Sequence, residues 1–156
     1  MKKIVGFTLV GIVLFPLAFI LLIIYLNFFS PPERLFTAIV KDNYESVSRL
    51  LDRGVDPNSK SDILRTPLTQ ATFLKRFRIA ELLLKHGANS NTVDGSGYSP
   101  LMYACQNRDY LMAKLLLSKG ANPNLINHFG KTAITIAGER RAEDIVALLT
   151  LHGAVP

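Results

Sequence analysis

The chain has 156 residues, with 18 basic and 12 acidic side chains, a net charge of +6 and a single cysteine. One thiol cannot close an internal disulfide. Setting aside Lys2 and Lys3 lowers the net charge from +6 to +4, too mild a surplus to point to nucleic acid. The hydrophobic fraction of 49 % overstates the core, because much of it lies at the N-terminus.

Residues 1–3 form a short basic tail, and Ile4–Phe29 then runs for 26 positions without a charged side chain. As a helix this stretch would span roughly 39 Å, more than a hydrocarbon core requires. A cleaved leader would carry an apolar core of roughly 7–15 residues ending at a small-x-small site. YLNFFSPPER contains no convincing site of that kind and no cysteine to accept a lipid. The segment is therefore predicted to be a transmembrane signal anchor, with Pro16 tolerated inside it. Lys2 and Lys3 abut it and favour a cytoplasmic N-terminus, whereas Arg34, Lys41 and Arg49 follow it within about 20 residues and favour the reverse. The uncharged-to-acidic exit Ser30-Pro31-Pro32-Glu33 tips the expectation toward a repeat domain on the far side. In a bacterium that is an inner-membrane protein with its domain in the periplasm. Residues 30–32 are predicted to be a linker.

Beyond the linker the chain repeats. Gly54, Gly87, Gly120 and Gly153 stand 33 residues apart, and RLLDRGVDPN, ELLLKHGANS, KLLLSKGANP and ALLTLHGAVP align around them. A fixed period of this size marks a stacked helical solenoid. Each apolar run predicts the inward stripe of a helix, ended by a glycine able to turn left-handed. Arg53, His86, Lys119 and His152 precede those glycines and suit the negative end of the helix dipole. The same step aligns Thr66-Pro67-Leu68, Ser99-Pro100-Leu101 and Thr132-Ala133-Ile134, then Ala71, Ala104 and Ala137. These predict a second, thin helix per unit with a hydroxyl N-cap and, twice, proline in the first turn. The periodic leucines, Leu50-Leu51, Leu83-Leu84, Leu116-Leu117 and Leu148-Leu149, are assigned to the core together with Cys105.

TPLTQA, SPLMYA and TAITIA, the LLL-x-x-G-A-N pattern and the turn Asp94-Gly95-Ser96-Gly97 resemble ankyrin repeats over residues 33–156. The resemblance implies an all-α ankyrin-repeat solenoid of four helix-turn-helix units, about 33–60, 61–93, 94–126 and 127–156, joined by β-turns and preceded here by the transmembrane helix. There are departures. The first unit lacks the turn and the TPL segment, Leu64 stands where later units carry Gly97 and Gly130, and Thr150 replaces the third leucine of the last unit. Asp42, Lys75, Arg108 and Arg141 occupy the helix-to-helix turn where the family usually has glycine.

No GxSxG, P-loop, HExxH or paired-cysteine motif occurs; His86 and His152 share one register two repeats apart, and His128 lies in a turn elsewhere. Neither an enzyme nor a cofactor, metal or small-molecule substrate is expected. The resemblance instead implies protein binding through turn tips and the exposed face of the inner helices. By register that surface comprises Asp62, Ile63, Arg65, Gly95, Ser96, Tyr98, His128, Phe129 and Lys131, continued by Phe73, Leu74, Gln106, Asn107, Glu139 and Arg140. Exposed apolar groups ringed by polar ones suit an interface, and an inhibitor or immunity role fits the size and predicted location. Lys75, Arg76, Arg78, Arg108, Arg140 and Arg141 form a basic edge, interrupted by Asp109, Glu139, Glu143 and Asp144. As an alternative, that edge would serve a cytoplasm-facing membrane organiser that binds acidic partners or anionic lipid; as a bland reading, it is a solvated edge.

Overall fold

The computed structural model describes residues 19–20, 31–62 and 64–155. Eight helices are defined from residue 31 onward: α1 Pro31–Val40, α2 Tyr44–Asp52, α3 Pro67–Phe73, α4 Phe77–Lys85, α5 Pro100–Gln106, α6 Tyr110–Ser118, α7 Ala133–Glu139 and α8 Glu143–Leu151. They pair within repeats as α1·α2, α3·α4, α5·α6 and α7·α8. The short helices stack in a continuous inner row α1·α3·α5·α7, while α2 touches α4 and α6 touches α8 in the outer row.

Local chemistry sets each boundary. Thr66 caps α3 and Thr132 caps α7, each in a reciprocal box with the threonine three residues on, and the Ser99 hydroxyl accepts from Met102 N–H to cap α5. At the outer-helix ends Gly54, Gly87, Gly120 and Gly153 take φ of 83, 86, 79 and 78°. The glycine and the next residue donate back to the last turn, as in Gly54 N to Leu51 O at 2.9 Å and Val55 N to Leu50 O at 3.1 Å, which satisfies carbonyls that otherwise lack partners. The inner helices end in the same double bond without glycine. Asp42, Lys75, Arg108 and Arg141 adopt left-handed φ of 55, 59, 55 and 55°.

Ala71, Ala104 and Ala137 are fully buried in the inner row, and Leu83, Leu116 and Leu149 are fully buried in the outer row. Cys105 is fully buried, and its burial pushes the thiol pKa up to about 12. Asparagines stitch the outer loops. The Asn58 amide donates to Gly87 O at 3.1 Å while its oxygen accepts from Asn89 N at 2.8 Å. Asn91 does the same to Gly120 O and Asn122 N at 3.0 and 2.7 Å, and Asn124 to Gly153 O and Val155 N at 3.0 and 2.8 Å.

Two expectations are corrected or left aside. Helix α1 begins at Pro31, inside the predicted linker, because prolines suit a first turn whose N–H groups need no partner. The predicted anchor, residues 4–29, lies outside the described residues except at positions 19 and 20; among the described residues no helix is long and apolar enough to cross a membrane.

The asparagine ladder yields a test. Asn91→Ala removes two bonds between loops at an exposed site, so stability should fall by about 1–2 kcal/mol in urea unfolding. Asn91→Asp keeps the acceptor for Asn122 N–H but sets a carboxylate oxygen against Gly120 O, and should lose at least as much.

Candidate functional site

The inter-repeat turns share one geometry despite Leu64. The loop closes by Leu64 N to Ser61 O at 2.8 Å, Gly97 N to Asp94 O at 2.9 Å and Gly130 N to Asn127 O at 3.0 Å. Leu64 therefore takes the glycine-like φ of 57° alongside 78° at Gly97 and 72° at Gly130. Gly97 is required on a second ground, since a Cβ there would lie 2.9 Å from the backbone nitrogen of His128. That close approach lets His128 N donate to Ser96 O at 3.1 Å and join neighbouring tips.

Behind the tips lies a buried polar centre. Asp94 is 7 % exposed; its Oδ1 accepts from Ser96 N at 2.9 Å and Tyr98 N at 3.0 Å, and its Oδ2 accepts from the Tyr103 hydroxyl. Arg65 faces the same group. Its Nε lies 3.9 Å from Asp94 Oδ2, Nη1 donates to Gln70 Oε1 at 3.0 Å and Nη2 to Tyr103 Oη at 3.3 Å. One repeat later Asn127 replaces Asp94 and holds Phe129 N and Lys131 N at 2.9 Å each. There the registers of Arg65 and Tyr103 carry Tyr98 and Ile136, so an aspartate at 127 would lack the cation and phenol that hold Asp94. The Asn127 Nδ2 is buried without a hydrogen-bond partner.

Aromatic rings cross this centre from repeat to repeat. Phe73 meets Tyr103 edge-on at 5.4 Å between centroids, Tyr103 meets Tyr98 at 5.2 Å and Tyr98 meets Phe129 edge-on at 6.3 Å. The Arg65 guanidinium lies 4.6 Å from the Phe73 ring centroid, within cation–π range. The ends of the row reach solvent, with Phe73 42 % and Phe129 68 % exposed. Beside it, Asp62, Leu64, Arg65, Asp94, Gly95 and Ser96 line an open concavity of about 460 Å³.

The predicted binding residues divide into two groups. Asp62, Phe73, His128, Phe129, Glu139 and Arg140 are exposed, and Leu74, Tyr98, Gln106 and Lys131 are half-buried. Ile63 lies outside the described residues. Arg65 and Asn107 are committed internally: the Asn107 amide donates to Thr72 O at 3.0 Å and Phe73 O at 3.2 Å, holding the end of α3. Lys131 and Glu139 pair with each other at 2.8 Å. On the basic edge, Arg76 pairs with Asp42 at 3.1 Å and Arg78 lies 4.7 Å from the Tyr44 ring centroid, while Lys75, Arg108 and Arg141 project exposed from the left-handed turns. Tyr103 and Asp94 lie outside the residues that the sequence assigns to the binding face, because both sit inside family motifs. The available signal was register, since Tyr103 stands where other repeats have Gln70 and Ile136.

A two-layer helical solenoid with left-handed caps and a ring-lined tip face defines a repeat scaffold of the interaction type. Its sequence matches the family model of ankyrin repeats (three copies) over residues 35–127 and again over 97–156, and the chain belongs to the ankyrin repeat family. No curated protein matches the sequence.

Burial, and next the bond to Asp94, raise the Tyr103 pKa from 10.0 to about 12. A raised folded pKa contributes stability that is complete below the unfolded value and lost as pH climbs through the folded one. Wild-type protein should therefore lose more stability between pH 10 and 12 than Tyr103→Phe in urea titrations across that window. At neutral pH the variant, which leaves Asp94 short of a donor, should be weaker by about 1–3 kcal/mol.

Proposed function

We propose that the domain binds a protein partner through the face that carries the row Phe73, Tyr103, Tyr98 and Phe129. One observation carries this reading: the row runs unbroken across three repeats, is fixed in the middle by buried polar bonds and is open at both ends. A stiff surface loses little ordering entropy on association, and aromatic side chains are frequent hot spots. Ankyrin repeats support the general role of an interaction module.

The finer reading concerns place and purpose. The 26-residue uncharged stretch from Ile4 to Phe29 supports a membrane anchor, and Lys2 and Lys3 support a repeat domain on the far side, periplasmic in a bacterium. A small anchored binder in that position suits an inhibitor or immunity protein that captures a toxin or enzyme. Arg34, Lys41 and Arg49 favour the opposite topology and, with it, an organiser facing the cytoplasm.

The partner that co-purifies from native membranes should bind the Phe73→Ala, Phe129→Ala double variant at least about 100-fold more weakly, while circular dichroism stays unchanged. Equal affinity would exclude this face. Separately, a reporter that is active only outside the cytoplasm, fused after Pro156, should be active; an inactive reporter with the domain intact would reverse the topology.

A further inference from the structure

The N-terminal end of the stack carries the polar outer face that a terminal, capping repeat requires, but its charge is of one sign. In the three later repeats, the register of Arg49 and Leu50 holds Leu82-Leu83, Leu115-Leu116 and Leu148-Leu149. Leu83, Leu116 and Leu149 are fully buried there by the packed stack, and Leu82 and Leu148 are 7 % exposed. In the first repeat Arg49 is exposed and Leu50 only half-buried. Residues 1–30 do not carry the repeat.

What the face presents instead is positive charge around an open concavity of about 420 Å³. Lys41 just past α1, with Arg49 and Arg53 at the end of α2, line it, and no carboxylate among the described residues does. A face needed only for solubility would be served by mixed signs. The Arg49 Nε donates to Glu45 O at 3.3 Å, which holds the guanidinium along α2.

Position adds the second constraint. Ser30 alone separates Phe29, the last residue of the uncharged stretch, from Pro31, the first residue of α1. Two residues of chain reach at most about 7 Å, so wherever that stretch ends, the first helix of the stack starts beside it. A cationic surface held there meets the phosphates of anionic lipid, whose field decays within a Debye length.

We propose that this N-terminal end face seats against anionic phospholipid headgroups of the membrane that residues 4–29 enter, so that the repeat stack stands on the bilayer by its first repeat. The inference rests on the reading of that segment as an anchor. It fixes the stack's N-terminal end at the membrane and leaves the ring-lined face directed along the surface and open to a partner.

The test uses the full chain in vesicles, with a fluorophore on Thr37→Cys, an exposed position lining the face; native Cys105 is fully buried and takes no label. Headgroup-attached nitroxide should quench the fluorophore severalfold more in vesicles containing phosphatidylglycerol than in phosphatidylcholine alone, since each seated cation shifts the balance about fivefold. The excess should vanish in Lys41→Gln, Arg49→Gln, Arg53→Gln protein, and for the unmodified face in about 1 M salt, where screening is within about 3 Å. Flotation of the same samples separates the two layers of the argument. A chain that floats with both vesicle types yet shows equal quenching in both overturns the seated face and leaves the anchor standing. A chain that floats with neither overturns both. Quenching that is equal in the two vesicle types and falls as the protein-to-lipid ratio rises assigns the face to a second copy and overturns the proposal.

Discussion

The asparagine ladder is the constraint on which the rest of the stack depends. A solenoid repeat touches only its neighbours, so its stability is a sum of internal and interface terms, and any drift in spacing is passed along. Asn58, Asn91 and Asn124 each bond, with one amide, to the carbonyl of the next cap glycine and to the backbone N–H two residues beyond it. A side chain that satisfies a donor and an acceptor of the adjacent loop fixes the distance between repeats from both sides. The same loop carries a second device, in which Asp56, Asn89 and Asn122 accept from the backbone N–H of the ladder asparagine itself at 2.8, 2.8 and 2.9 Å. With that loop rigid, the tips on the far side of each repeat are held in register, and rings in different repeats meet.

That registration explains how an aromatic row forms from residues as distant as Phe73 and Phe129. No ring in the row is placed by its own local sequence alone. Tyr98 follows the Gly97 turn, Tyr103 sits on α5, and Phe73 ends α3; the stacking of α3 on α5 and of turn on turn brings Phe73 to 5.4 Å from Tyr103 and Phe129 to 6.3 Å from Tyr98. Arg65 then ties the row to Asp94, so polar bonding and ring contact fix the same groups. The centre of the face is internally satisfied, while its ends remain free to meet another surface.

The repeat itself was legible because its devices are local: capping hydroxyls, first-turn prolines, glycine at the outer-helix end and leucines at fixed register. Leu64 shows the limit of that reading. Its side chain argues against a left-handed turn, yet the Ser61–Leu64 loop closes by the same hydrogen bond as its neighbours, because tertiary context overrides one residue's preference. The candidate site was legible only in part. Register identifies which side chains point toward the tip face, but it does not say which of them find partners inside the domain. Arg65 and Asn107 look like free polar groups in the sequence and are held by Tyr103, Gln70, Thr72 and Phe73 in the fold. Tyr103 is the converse case: it sits inside a scaffold motif, and only the contrast with Gln70 and Ile136 at its register marks it.

The two kinds of helix ending separate scaffold from surface. Backbone geometry is the same at all eight, with left-handed φ and paired return bonds, but the outer helices use glycine four times and the inner helices use Asp42, Lys75, Arg108 and Arg141. A side chain in that conformation costs roughly 1–2 kcal/mol. A cation at a helix C-terminus returns about 0.3–1 kcal/mol, which offsets the strain only partly at Lys75, Arg108 and Arg141. Asp42 has the wrong sign for the dipole and pairs with Arg76, 3.1 Å away. Glycine would relieve the strain but loses more chain entropy on folding, so the two choices are close in stability. What the side chains add is charge along one edge, and the three that make no ion pair among the described residues, Lys75, Arg108 and Arg141, fall on successive repeats. The period that fixes the scaffold therefore also spaces those charges, one to each repeat.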